Sequence, residues 1–317
     1  MKRLKQIFSA AKGFQILVLT VLVFGVVAVF QPLLLSTSNF YALLVQMPGL
    51  GIAAIGMTIC FIGNRLDIST GSIISLSAAV FALAIQHVGL VAAMTLALLT
   101  GMACGAITGF LVAICKVDSF IISLSMMTAL RALSVLLAGS RAIMINNPTY
   151  AALGQTTFLG CIPLSFVIFV AFAIMVDLAL RYTKFGRNLY AIGGNAAAAR
   201  SIGINVTKYD FLLFVINGFC AALAALVLVL RMQSSSPVLG DDAPLSIIPM
   251  IIVGGNSMTG GKGSALRTLM GAIFMSILFN IMTINNIYVN AQDLIKGAIL
   301  IAVVAFDTYS VTKNQKI

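Results

Sequence analysis

The sequence contains no tryptophan and no glutamate, and its eight acidic residues are all aspartate. It has one histidine, His87, and charged residues make up only 9% of the chain. A soluble domain carries roughly 25%. With one histidine and no glutamate, an HExxH metal site is impossible, and GxSxG and paired-carboxylate motifs are also missing. His87 ends a short apolar run with no carboxylate nearby, as an interfacial histidine would. The five cysteines, Cys60, Cys104, Cys115, Cys161 and Cys220, show no CxxC spacing. Four lie in apolar runs, where a thiol packs as a small hydrophobe, so neither disulfide nor metal chemistry is expected. The stretch ending Gly261-Lys262-Gly263-Ser264 resembles a phosphate loop only at first sight. GxxxxGK[ST] needs Gly at 256 and Ser or Thr at 263, and the chain has Asn256 and Gly263. No nucleotide site, metal or other cofactor is therefore expected in this chain, and it is not expected to be an enzyme.

What the sequence does contain is apolar length. Hydrophobic residues are 61% of the 317, and the mean hydropathy is +1.10. No soluble fold of this size could hide that surface. A spanning helix needs about 20 predominantly apolar residues. Ten segments approach this: 14–30, 41–63, 71–86, 88–115, 119–138, 158–180, 209–230, 243–255, 264–283 and 293–308. Several are short, and 243–255 contains Pro244 and Pro249. Broken or re-entrant helices are tolerated in a membrane where protein satisfies the backbone. The expectation is an all-α, polytopic membrane protein with about ten spans (8–10), forming one domain over 1–317.

The net charge of +11 reads as membrane topology, with no nucleic-acid partner expected. In a ten-span arrangement with both termini inside, cytoplasmic ends and loops hold 15 of the 19 basic residues; Arg131, Arg141, Arg231 and Lys296 fall elsewhere. Residues 1–30 also read as basic start plus apolar run, but the run is long for a signal peptide and Val26-Val27-Ala28 is a poor cleavage site, so an uncleaved first span is expected.

The longest hydrophilic stretch, 181–208, is basic, lacks acids and is semi-apolar around Leu189–Ile192. Those features suit docking against another protein. Within it, Asn195 is a good N-cap, Ala196-Ala197-Ala198-Ala199 has high helix propensity, and Gly203 is placed as a stop. A short helix over about 196–202 follows, with Gly193-Gly194 as a flexible or tight entry. Gly101, Gly105 and Gly109 share one face of a span and would admit a close helix neighbour. Intramembrane polar residues are functional candidates: Asp67, Ser69, Asn217 and Asn280 as a translocation pathway or gate, and Asp293–Lys296, which could neutralise each other at i,i+3 spacing. Asp67 could instead be a loop acid paired with Arg65. The segments 63–72 and 254–264 both contain Gly-Asn, six residues, then Gly-Ser. These are common turn residues, so coincidence explains the match.

Three motifs carry a family resemblance. Leu66-Asp67-Ile68-Ser69-Thr70-Gly71-Ser72 within 57–77 resembles the G-x-D-L-S-x-G-S segment of ribose-type sugar permeases of ABC importers. Phe185–Asn195, followed by alanines, Arg200 and Gly203-Ile204, resembles the loop by which those permeases engage their ATPase. Gly254–Gly263 resembles their G-G-x-S-x-x-G-G-x-G segment. The similarity covers about 49–307 in the right order. The chain departs from the pattern at Ala196, where an acid is usual, and at Asn64-Arg65, where small residues are. The resemblance implies an ABC importer permease fold in the bacterial inner membrane. It implies a second permease subunit (identical or homologous), a cytoplasmic ATPase carrying ATP and Mg, a periplasmic or lipid-anchored solute-binding protein, and a sugar-like solute. By resemblance the ATPase-coupling residues are Gly186, Arg187, Gly193, Gly194, Asn195, Ala196, Ala197, Ala198, Ala199, Arg200 and Gly203. A secondary, ion-coupled transporter is the alternative, disfavoured because most acids fall near span ends.

Overall fold

The computed structural model describes residues 24–25, 31–158 and 160–315. The expected first span, 14–30, lies outside the described residues apart from Phe24 and Gly25. The described residues are predominantly helical, with twelve α-helices in the order α1 Thr37–Ile62, α2 Thr70–Ala84, α3 Leu90–Ala113, α4 Ser119–Ala138, α5 Pro148–Gln155, α6 Leu164–Tyr182, α7 Lys184–Gly194, α8 Ala196–Ser201, α9 Val206–Met232, α10 Ala243–Val253, α11 Ala265–Ile284 and α12 Val289–Gln315. Among the described residues, six helices are long and apolar enough to cross a membrane: α1, α3, α4, α6, α9 and α11.

Side chains next to each helix set its ends. Ser36 accepts from Asn39 N at 3.3 Å and opens α1. Asp118 accepts from Phe120 N at 2.9 Å and opens α4, which Gly139 closes in the left-handed region. Asn147 and Pro148 start α5, and Asn205 starts α9. Two strand pairs are minimal: β1 Ile143–Met144 with β4 Ser234–Ser235, and β2 Thr157–Phe158 with β3 Ile162–Pro163.

Helices α1 and α9 are the most buried of the long helices, and α2, α10 and α11 pack around them. By contrast α3 and α4 turn large apolar side chains outward: Val91 is 77% exposed and Leu136 is 78%. An apolar surface this extensive belongs against lipid or another membrane subunit. Gly101, Gly105 and Gly109 face α9. A Cβ on Gly101 would overlap Gly218 O, one on Gly105 would overlap Phe214 O, and one on Gly109 would sit 2.9 Å from Phe211 O. Gly105→Val is accordingly expected to lower stability by about 3 kcal/mol, the upper end for overpacking. Thermal unfolding in detergent measures this, and an unchanged midpoint would contradict the close approach of α3 and α9.

Two apolar helices are too short to span. At 1.5 Å per residue, α2 is about 22 Å long and α10 about 16 Å, against a hydrocarbon core of about 30 Å. Their N-terminal ends meet. A Cβ on Gly71, in the first turn of α2, would overlap Gly240 O and lie 3.3 Å from Pro244 Cδ at the start of α10. Gly240 itself is at φ +89°, which a side chain would strain.

Candidate functional site

The start of α2 is buried deep in the bundle. Asp67, Ser69, Thr70 and Asn217 are all fully buried. Asp67 Oδ1 accepts from Ser69 N at 3.1 Å and from Ser69 Oγ at 2.5 Å. Its Oδ2 accepts from Asn217 Nδ2 at 2.8 Å. The same amide nitrogen reaches Thr70 Oγ1 at 2.9 Å, and Thr70 Oγ1 donates to Asp67 O at 2.9 Å. The carboxylate therefore meets only donors, which is what an acceptor-only group requires. Asn217 lies eleven residues after Val206, so this cluster sits about 16 Å along α9. The chain leaving α1 at Ile62 thus turns back into the bundle before α2 begins. Asn217 Oδ1 has no hydrogen-bond partner among the described residues.

Arg65 does not pair with Asp67. It holds Asp210 with two hydrogen bonds, 3.2 Å from Nε and 2.6 Å from Nη2. Both oxygens of Asp67 are already taken by Ser69 and Asn217, while the Asp210 carboxylate, four residues into α9, meets Arg65 bidentately. Asn280 exchanges amide hydrogen bonds with Asn39, at 3.2 and 2.9 Å, and ties α11 to α1. Lys296 pairs with Asp293 at 2.8 Å and lies over the Phe279 ring, 5.4 Å from its centroid, so this pair does neutralise itself.

The second cluster is a seam where three distant segments meet. Gly261 N donates to Ile62 O at 2.9 Å, joining the 254–264 loop to the end of α1. A Cβ on Gly193 in α7 would overlap Ile62 O and come within 2.6 Å of Gly261 N. Tyr190 of α7 donates its hydroxyl to Gly263 O at 2.8 Å. Burial, and next the Asp177 charge, push the Tyr190 phenol above its usual range. Asn256 anchors the loop from within: its Oδ1 accepts from Ser264 N at 2.7 Å, and its Nδ2 donates to Ile251 O and Thr268 Oγ1 at 3.0 and 2.9 Å. Thr268 Oγ1 is in turn 2.6 Å from Thr58 Oγ1. The two Gly-Asn…Gly-Ser segments also touch: a Cβ on Gly260 would come within 2.6 Å of Asn64 Cβ. Whether or not they share an origin, they form one joint.

Helices α7 and α8 project from this seam. Thr183 caps α7 through Gly186 N at 3.3 Å, and α7 runs through Gly193-Gly194 without a break. Asn195 alone joins α7 to α8, a tight entry, and Gly193 serves a close contact. Asn195 Oδ1 accepts from Ala198 N at 3.0 Å and opens α8, and Gly203 ends it at φ +86°. Ala199 packs with Ile192 and Val206 in a small core of its own. Ala197, Ala198, Arg187 and Arg200 are exposed, as are Tyr182 and Ile202, at 74% and 75%. Phe185 stacks on Tyr209 at 5.7 Å between ring centroids, and Asn188 donates to the Tyr209 hydroxyl at 2.7 Å.

Asp177 is a residue that sequence reading passed over. It is buried near the end of α6, accepts from Ser264 Oγ at 2.5 Å, and pairs with Arg181 at 2.6 Å. Its signal was an acid alone inside the 158–180 apolar run with a basic residue at i+4.

With this geometry in view, residues 39–304 match the family model described as the permease component of branched-chain amino acid transport systems. The chain belongs to this permease family. It is 32% identical over 299 residues to the ribose import permease protein of Haemophilus influenzae, covering 93% of this chain and 92% of that one. It is also 32% identical over 304 residues to the L-arabinose transport system permease protein of Escherichia coli, covering 90% of each. The ribose import permease protein of Bacillus subtilis is 32% identical over 285 residues, covering 89% of this chain and 88% of that one. No solved structure matches the permease. All three sequence motifs lie within the matched region. Two of them, with the α7 part of the third, form the seam, while the Asp67 stretch of the first supplies the buried cluster.

Proposed function

We propose that this permease is the membrane subunit of an ATP-binding-cassette importer for a small sugar or sugar-like solute. It works in the bacterial inner membrane as about ten spans with both termini cytoplasmic. A second copy or close homologue completes the pathway. A separate ATPase supplies ATP and Mg chemistry on the cytoplasmic side, and a periplasmic or lipid-anchored binding protein delivers the solute. The sugar class rests on the ribose and arabinose permeases among the relatives. The coupling assignment rests on one observation: α7 is wedged by Gly193 between the end of α1 and the 254–264 loop. A force on α7–α8 from the ATPase therefore reaches the end of α1 directly and the start of α11 through the 254–264 loop.

Helix α8 supplies the contact surface. Its exposed alanines lose little side-chain entropy on entering a groove, and Arg187 and Arg200 supply charge where relatives with an acid would differ. Ala198→Pro tests it. Sequence alone gives the cost as about 3 kcal/mol. Because the Ala198 N–H serves the Asn195 cap, the cost is revised to about 1–2 kcal/mol, the range for a lost cap. That is enough to fray a six-residue helix. In proteoliposomes, stimulation of the ATPase by loaded binding protein and solute uptake are both expected to be lost while the complex still assembles. Retention of both would withdraw α7–α8 as the coupling element. Topology has its own check: reporter fusions at Lys184 and Lys313 are expected to read cytoplasmic and one at Tyr150 external. An external reading at Lys184 would overturn the orientation.

A further inference from the structure

Beside the seam lies a cavity that shares only Arg200 with the coupling assignment. It has a volume of about 280 Å³ and opens where the end of α3, the start of α4, the start of α9 and α8 come together. Three cations line it: Arg65, Lys116 and Arg200. So do two carboxylates, Asp118 and Asp210, leaving a formal balance of +1 from three cations and two anions. The balance understates the local field. Asp210 is consumed by its bidentate pair with Arg65. Asp118 accepts two backbone N–H groups at the start of α4, from Phe120 and Ile121. Lys116 and Arg200 are in no ion pair among the described residues. Val206 and Thr207 add the positive end of a 27-residue helix.

The surroundings specify what kind of anion. Val112, Ala113 and Val117 form an apolar wall on the α3–α4 side. From there the outward surface continues as Phe110, Ile114, Phe120 and Ile121, all exposed. An acyl chain lying along that surface would bring its own headgroup to Lys116 and Arg200. We propose that this cavity binds the phosphate of an anionic phospholipid, with Lys116 and Arg200 as its ligands and the α3–α4 surface holding the chains. Because Arg200 belongs to α8, the bound lipid would also fix the position of that helix relative to the bilayer. The proposal rests on the membrane placement of α3 and α4 and shares Arg200 with the coupling assignment.

The test uses the purified full-length chain in mild detergent, with phosphatidylglycerol and phosphatidylcholine added in equal amounts and retention read by native mass spectrometry. The permease is expected to retain phosphatidylglycerol preferentially. K116Q is expected to lower that preference about fivefold, the factor equivalent to the ~1 kcal/mol that one Lys or Arg contributes near an anionic lipid surface. The K116Q/R200Q pair should lower it further, towards none. Lys184 is exposed and outside the cavity, so K184Q should leave the preference as it is and control for net charge and for folding. Equal retention of the two lipids by the parent chain, or an unchanged preference in the double variant, would overturn the proposal. A separate arm adds inorganic phosphate. Displacement of phosphatidylglycerol at millimolar phosphate would assign the cavity to a free anion and refute the lipid. Loss of the preference only when the ATPase is added would assign Lys116 and Arg200 to carboxylates of that partner, and would likewise refute it.

Discussion

Gly193→Ala is expected to reduce ATP-driven uptake at least tenfold and to destabilise the chain by about 1–3 kcal/mol, the range for overpacking. The added methyl has nowhere to go. It would overlap Ile62 O, a backbone atom at the end of α1, and crowd Gly261 N, which itself donates to that same carbonyl. Relief requires α7 to lift from the seam, which separates Tyr190 from Gly263 and loosens the joint between α1 and the 254–264 loop. The adjacent residue supplies the contrast. A Cβ on Gly194 meets nothing within 4 Å, and its backbone is not left-handed. Gly194→Ala should leave stability within about 0.5 kcal/mol of the parent. The measurement is thermal unfolding of both variants in detergent, followed by uptake in proteoliposomes with partner subunits. A Gly193→Ala chain with parental midpoint and parental uptake would mean that α7 is not seated as a rigid wedge.

The same pair of glycines illustrates what the sequence could and could not convey. Local chemistry was legible. Asn195 caps α8 and Gly203 ends it, as their residue types dictate, and Asp293 with Lys296 forms the pair their spacing allows. The apolar runs marked the long helices to within a few residues. What local chemistry could not give was the partner of each residue across the fold. Gly193-Gly194 read as a flexible or tight entry to α8, but nothing local showed that they form the last turn of α7, where Gly193 accepts a neighbouring backbone. Arg65 stood two residues from Asp67 and took Asp210, 145 positions away. Asp177 was one acid in an apolar run until Ser264 and Arg181 were brought to it.

The two short helices show a similar division. Pro244 and Pro249 marked α10 as irregular, and α2 read as one of the short segments open to being broken or re-entrant. The contact between Gly71 and Gly240 shows that both begin at a shared point within the bundle. A broken pair of this kind leaves backbone groups in an apolar medium that side chains must satisfy. Thr70 Oγ1 on Asp67 O and Asn256 Nδ2 on Ile251 O do this at the start of α2 and the end of α10. Small residues at the meeting point permit this close approach of the two chain segments.

Asn217→Ala is expected to destabilise the permease by about 3 kcal/mol, because it strips Asp67 Oδ2 of its donor in a fully buried setting. An unsatisfied buried acceptor costs about 1–3 kcal/mol, and more when it is charged. The variant also frees Thr70 Oγ1, which holds the turn into α2. Uptake falls with stability if Asn217 is a brace for that turn. The double variant Asp67→Ala/Asn217→Ala discriminates further. With the acceptor gone, the missing donor no longer matters, so the double should cost less than the sum of the two single changes by about 1–3 kcal/mol. Residues that merely line a pathway would behave differently: each single change would lower uptake at an unchanged unfolding midpoint, and the stability terms would simply add. A cycle closing within about 0.5 kcal/mol of additivity would remove the brace and leave Asp67 and Asn217 as contacts for the moving solute. A large coupling would place them in the hinge from which α2 is set, one step removed from the solute itself.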